Sequence, residues 1–231
     1  GLFPPYKKWC RLEPGNDIPA DRKAEVQQAL DLYLDKMFTL LRQSNFDLAM
    51  GEFLLDLCVG TAVMLIQPGD DINPIQFTPV PQYLIALEEG PNGTVDNVYR
   101  KYKVRAEALP RQYPDIKLNN QLQTLIENKP QEMVELIEAV ILDPERKDYC
   151  YHIIHEKTKD ELVFRRMDTT PWIVARYMKI PGEVFGRGPL VSALPDVKTL
   201  NKTLELLLKN ASIACAGVYT AADDGVINPS N

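Results

Sequence analysis

Two histidines, four cysteines and a few short acidic or glycine-rich motifs are the groups in this 231-residue chain that could carry chemistry. His152 and His155 form an H-x-x-H pair, a spacing that can serve a metal. The surrounding CYHIIH reads as a strand, however, and residues three apart on a strand point to opposite faces. Cys150 and His152 can share a face, but two ligands do not make a metal site. Cys10, Cys58, Cys150 and Cys215 are far apart and include no C-x-x-C, so neither a zinc site nor a small disulfide framework is indicated. Cys58 and Cys215 lie in apolar helical contexts and read as buried free thiols, which suits a reducing compartment. Asp70-Asp71 and Asp223-Asp224 read as solvated loop charges. There is no Gly-x-Ser-x-Gly elbow and no phosphate-binding Walker loop, and Gly186-Arg187-Gly188 lacks the later glycine of a dinucleotide fingerprint. The chain is therefore read as a non-enzyme with no cofactor and no metal.

The elements around these groups follow from periodicity. A Pro-rich arm, LFPPYKKWCRL, reads as extended and docked through Trp9 and Leu12. A helix is predicted from about Asp21 to Arg42, with Val26, Leu30, Tyr33, Met37 and Leu41 as its inward stripe. Ser44-Asn45-Phe46-Asp47 resembles a capping box opening a second helix. That helix turns Phe46, Met50, Phe53, Leu54, Leu57 and Cys58 inward and ends at Gly60. Strands are predicted at 61–67, 75–80, 82–88 and 95–102, with Pro91-Asn92-Gly93 as a turn between the last two. Residues 103–129 read as helical in two pieces broken near Pro110 and Pro114, with Leu118, Leu122, Leu125 and Ile126 as a stripe. Further strands are predicted at 134–142, 149–157, 162–167 and 172–180. This order implies an α+β fold with segregated layers.

The most distinctive stretch runs from Gly182 to Ala216, where a glycine-rich turn feeds a long helix. Gly186 and Gly188 are expected to use positive φ for a sharp redirection. Gly188 suits an N-cap and Pro189 the first helical position. Pro195 should kink or restart the rod, and Pro195 to Cys215 would be about 30 Å long. Lys198, Lys202 and Lys209 share one face with Glu205 among them. That face is either a solvated charged surface or one turned toward DNA or a neighbouring subunit. Arg187 is either exposed in the turn or paired with an acidic residue of a neighbour.

Composition narrows the function classes. Hydrophobic residues make up 45% and charged residues 25%, which is ordinary globular usage. The formal charge of −6 argues against tight phosphate binding. No apolar run approaches the ~20 residues of a membrane span. With Gly1 and Asn231 as its ends, the chain reads as an internal fragment of a longer protein.

Several segments, in order, resemble one family. PPYKKWCRL, NFDLAMGEFLLDLCVGTAVMLIQ, GTVDNVYRKYKVRAEAL and PWIVARYMKIPGEVFGRGPLVSALPDVKTLN are similar to blocks of the head-to-tail connecting, or portal, proteins of short-tailed podovirus-type bacteriophages. The last block is the most specific. Tyr177 stands where the family has Trp, Phe185 where it has Tyr, and Cys10 replaces an aromatic residue. The resemblance implies a structural subunit of a ring, commonly twelvefold, at one capsid vertex of the virion, assembled in the host cytoplasm. Double-stranded DNA is packaged and ejected through such a ring. Its implied partners are copies of itself, terminase, scaffold or capsid protein and tail adaptors, with no membrane. By analogy, residues 1–101 would form the wing and 102–132 a first stem-like helical segment. Residues 133–181 would form the clip, and 182–231 the turn and second stem helix. The turn at Gly186, Arg187, Gly188 and Pro189 would then set the angle between clip and stem. The competing class is a cytoplasmic α+β enzyme or ligand-binding domain with an unrecognised site, for which a deep pocket with convergent polar groups would be the mark.

Overall fold

The computed structural model describes residues 3–4, 7–70 and 72–217. Asp71, the Asp223-Asp224 pair and parts of the N-terminal arm lie outside the described residues. The chain divides into two compact units, residues 1–188 and 189–231. The class is α+β, with five helices and two antiparallel sheets among the described residues.

In the first unit, α1 (Lys23–Gln43) and α2 (Phe46–Val59) lead into β1 (Thr61–Pro68). Then come β2 (Ile75–Val80), β3 (Ile85–Glu89) and β4 (Val95–Arg105). Two short helices follow, α3 (Leu109–Gln112) and α4 (Asn120–Asn128). The remaining strands are β5 (Met133–Asp143), β6 (Asp148–His155), β7 (Glu161–Met167) and β8 (Trp172–Arg176). The sheet orders are β2-β1-β8 and β3-β4-β5-β6-β7.

β1 is buried on both faces, which is why its sequence TAVMLI is continuously apolar and does not alternate. Val63 and Leu65 point into a core shared with the five-stranded sheet, with Trp172, Val98, Leu136, Val140 and Ile153. Ala62 and Met64 point the other way, onto Phe46, Ala49 and Phe53 of α2 and Phe77 of β2. The small sheet is thus the middle layer, between α2 and the large sheet. Trp9 of the arm completes the outer core, edge-on to Phe38 at 5.4 Å and stacked on Phe46 at 6.2 Å. Leu12 docks through its carbonyl, which accepts from Gln27 Nε2 (3.1 Å).

Several expectations are corrected here. On α1, Leu34 and Phe38 are the buried residues, whereas Tyr33 and Met37 are exposed. The aromatic arm and Phe46 select the face that is one residue further round. Asn45 precedes α2 but does not cap it. Its side-chain amide instead pairs with the backbone of Phe77, donating to the carbonyl (2.6 Å) and accepting from the N–H (2.9 Å). Residues 102–113 do not form a long helix. Tyr102 to Arg105 finish β4, paired with Met133–Leu136 of β5, and a short helical turn follows. A single sheet therefore spans the expected boundaries at 101/102 and 132/133. Finally, β8 pairs with β1 through Leu65↔Trp172 to Thr61↔Arg176 and stops at Arg176, not Ile180.

In the second unit, α5 (Pro189–Ala216) is one 28-residue helix, about 42 Å long, with Pro195 inside it. None of its residues is buried, and no helix among the described residues is long and apolar enough to cross a membrane.

Candidate functional site

The segment 177–188 leaves β8 and runs back along the end of α2, held by four hydrogen bonds. The Tyr177 N–H donates to Gly60 O (2.9 Å), Gly186 N–H to Thr61 Oγ1 (2.7 Å), Arg187 N–H to Met178 O (2.9 Å) and Gly188 N–H to Val59 O (2.9 Å). Thr61 is fully buried, so its hydroxyl is committed to this junction.

Gly186 and Gly188 do not use positive φ; among the described glycines only Gly60, Gly93, Gly182 and Gly217 do. Their requirement is close approach. A Cβ on Gly188 would sit 2.1 Å from the Cys58 carbonyl oxygen, and one on Gly186 would sit 2.5 Å from that of Gly60. A Cβ on Gly60 would in turn lie 2.1 Å from Gly186 O. Three glycines therefore let two backbones touch where no side chain fits.

A clamp of charged groups backs this junction. Arg176 (14% exposed) pairs with Glu89, donates through Nη2 to Gly93 O (2.8 Å) and through Nη1 to Val184 O (3.2 Å). Lys179 Nζ reaches Glu89 (2.9 Å) and Gly93 O (2.9 Å). Lys179 and Arg176 beside Glu89 hold its carboxyl below the usual carboxylate range. Together these contacts tie the β3–β4 hairpin turn to the segment that ends at Gly188. Sequence reasoning missed Arg176 and Glu89. They are 87 residues apart, and neither belongs to a motif.

Arg187 pairs with Glu183 of its own turn, Nε to Oε2 at 2.9 Å. Pro189 is the first residue of α5. Along α5, Lys202 (2.9 Å) and Lys209 (2.6 Å) both pair with Glu205, while no carboxylate lies within 4 Å of Lys198 among the described residues. Glu205 is held below its ordinary range by Lys209 and Lys202. Leu190, Leu194, Leu200, Leu204, Leu207 and Leu208 are exposed along the same helix.

The two histidines and the Asp143–Asp148 pair, which could have done chemistry, are otherwise engaged. His152 Nδ1 pairs with Glu161 (2.6 Å) and His155 Nδ1 with Thr158 (2.9 Å). Asp143, Asp148 and Cys150 come close enough together to chelate, but Arg166 already serves as counter-ion, 2.8 Å from Asp148 and 3.3 Å from Asp143. Cys58 and Cys215 are exposed, not buried: on α2 the inward arc is filled by Phe46, Ala49 and Phe53, and α5 buries nothing. The large sheet also buries a polar cluster that the sequence does not announce. Tyr151 donates to Glu138 (2.9 Å), Arg100 lies 3.6 Å from Glu138 and 4.5 Å over the Tyr102 ring, and Tyr102 bonds Tyr113. Burial pushes the Glu138 carboxyl and the three phenols upward. A depression of about 250 Å³ between α4 and the paired ends of β5 and β6 is lined by Leu122, Leu125, Met133, Glu135 and His155. It brings together no nucleophile and base.

Known proteins supply the context for a mechanical site of this kind. A family model described as bacteriophage head to tail connecting protein matches residues 1–231. The portal protein of Enterobacteria phage T3 is 24% identical over 217 residues, which cover 91% of this chain and 38% of that protein. The chain thus spans well under half the length of this relative. On the match over its whole length, the chain belongs to the bacteriophage head to tail connecting protein family.

Proposed function

We propose that this chain is part of a portal subunit that closes into a ring, probed most directly through its glycine-locked turn and long exposed helix. The ring stands at the capsid vertex of the virion, after assembly in the host cytoplasm, and passes double-stranded DNA during packaging and ejection. Copies of itself, terminase, scaffold or capsid protein and tail adaptors are its partners, and a twelvefold ring is the expected stoichiometry. Its role is structural, not catalytic.

The observation that carries this reading is the pairing of a rigid junction with a helix that buries nothing. Most of a helix's stability in a protein comes from packing its apolar face, and none of the leucines along this 28-residue helix is buried. Neighbouring subunits of a ring supply a packing partner through head-to-tail contacts. The net charge of −6 supports a conduit that does not hold its cargo, because tightly bound phosphates would stall translocation. Lys198, Lys202 and Lys209 are then a thin cationic line toward DNA or a neighbour, with Glu205 damping two of the three. In this reading Gly186, Arg187, Gly188 and Pro189 set the angle at which the stem leaves the clip. The α1–α2 hairpin with the small sheet is the wing, and the large sheet contributes to the clip.

Electron microscopy of the full-length protein, with its mass from light scattering, tests the proposal. Rings with a central hole wide enough for duplex DNA are the expected result. A monodisperse monomer across protein and salt concentrations would overturn it.

A further inference from the structure

The αα-hairpin carries two apolar stripes that the fold leaves uncovered. On α1, Tyr33, Met37 and Leu40 recur at helical spacing on one exposed face, and the charged residue within that stripe is Lys36. On α2, Leu48, Leu55 and Val59 form the matching exposed face, and the charged residue within that stripe is Glu52. Tyr33, Leu48 and Leu55 are each about two-thirds or more exposed, at 67%, 71% and 71%. The stripes span about 10 Å and about 16 Å of helix. Asp35 of α1 is directed elsewhere, to Lys8 at 2.5 Å. Among the described residues no oppositely charged group lies within 4 Å of Lys36 or Glu52.

These faces are large for solvent and opposite in charge. α2 holds three acidic residues, Asp47, Glu52 and Asp56, and no basic one, so two α2 faces repel each other. The α1 stripe supplies what the α2 stripe lacks: aliphatic and aromatic cover with a cation inside it. One chain therefore carries both halves of a complementary contact. Made head to tail from copy to copy, such a contact is heterologous, of the kind that closes rings; made reciprocally, it gives a two-fold dimer. We propose that the α1 stripe of one copy docks on the α2 stripe of the next, with Lys36 against Glu52 at its centre. The inference rests on the ring reading above and names a surface that closes it.

The test uses full-length protein and three variants: Lys36→Glu, Glu52→Lys, and both together. Both charged positions are exposed, so far-UV circular dichroism and the thermal midpoint should match wild type. Each single reversal sets like charges face to face and should raise the concentration for half-assembly at least about tenfold. The double reversal restores opposite charges between copies and should bring assembly back toward wild type. Wild-type rings with single variants that assemble normally, or a double variant worse than either single, would overturn the contact and leave the ring reading intact. Wild-type protein that stays a dimer, yet responds to the reversals and their rescue, would uphold the contact and overturn the ring.

Discussion

Replacing Gly188 offers the sharpest test of the junction, because its cost can be worked from distances. An added Cβ would lie 2.1 Å from Cys58 O and 2.6 Å from the carbonyl carbons of Cys58 and Val59. Real Cβ atoms do not approach closer than 3.0 Å, so the two backbones must part by about 1 Å. The obstacle is the last turn of α2, not a flexible side-chain tip. Parting strains the Gly188 N–H bond to Val59 O (2.9 Å) and the Gly186 N–H bond to Thr61 Oγ1 (2.7 Å). Overpacking costs about 1–3 kcal/mol, and each weakened hydrogen bond about 0.5–1.5 kcal/mol. Gly188→Ala should therefore lose about 2–6 kcal/mol, a large share of a typical domain's stability. Gly188→Val should lose more and, on the proposed ring reading, also spoil ring closure. Gly51→Ala is the internal control: it makes the same chemical change inside α2, where an added Cβ meets nothing within 4 Å. Helix propensity predicts a gain there of up to about 1 kcal/mol. Urea unfolding of the three proteins, with slopes compared, reads the difference. A Gly188→Ala midpoint within error of wild type would refute the close-approach argument, and normal rings from Gly188→Val would refute the hinge role in the proposed ring.

Arg176→Met should lower the stability of the first unit, since it leaves Glu89 and the Gly93 carbonyl to Lys179 alone and frees the Val184 carbonyl; a thermal midpoint equal to wild type would show that the clamp is idle. Glu138 has its folded pKa raised by burial, so its contribution is fully present below the unfolded carboxylate value of 4.5 and is lost as pH rises through the folded value. Wild type should therefore lose stability relative to Glu138→Gln as pH rises above 4.5, and a flat or reversed difference would sink the assignment. On the proposed portal reading, Lys198→Glu with Lys202→Glu should lower the yield of packaged DNA while rings still form; an unchanged yield would return those lysines to a merely solvated face.

Local signals read well from the sequence, and long-range ones did not. β2 and the start of β4 fall where alternation and turn residues place them, and Leu122 anchors α4 as its stripe suggests. Pairing is another matter. Nothing near Val95 states that β4 will join β5, or that Trp172 will lie beside Leu65, because strand partners are chosen by burial across the whole chain. α1 is apolar over more than half its circumference, so spacing alone could not decide between Tyr33 with Met37 and Leu34 with Phe38; the arm's Trp9 decides. At the candidate site, glycine was legible as a need but not as a cause. A sequence shows that Gly188 is there, while the Cys58 carbonyl it must clear is brought to it only by the fold.

The pairing of β1 with β8 also bears on how the chain is made. β1 is finished at Pro68, but its second neighbour begins at Trp172. About a hundred residues must leave the ribosome in between, which takes about 5–20 s at ordinary elongation rates. Throughout that interval one edge of β1, among the most apolar segments of the chain, has no native strand to pair with. A host holdase that shields nascent apolar strands would be most needed in that window, and slowing translation between Pro68 and Trp172 should lower soluble yield more than slowing it anywhere after Arg176.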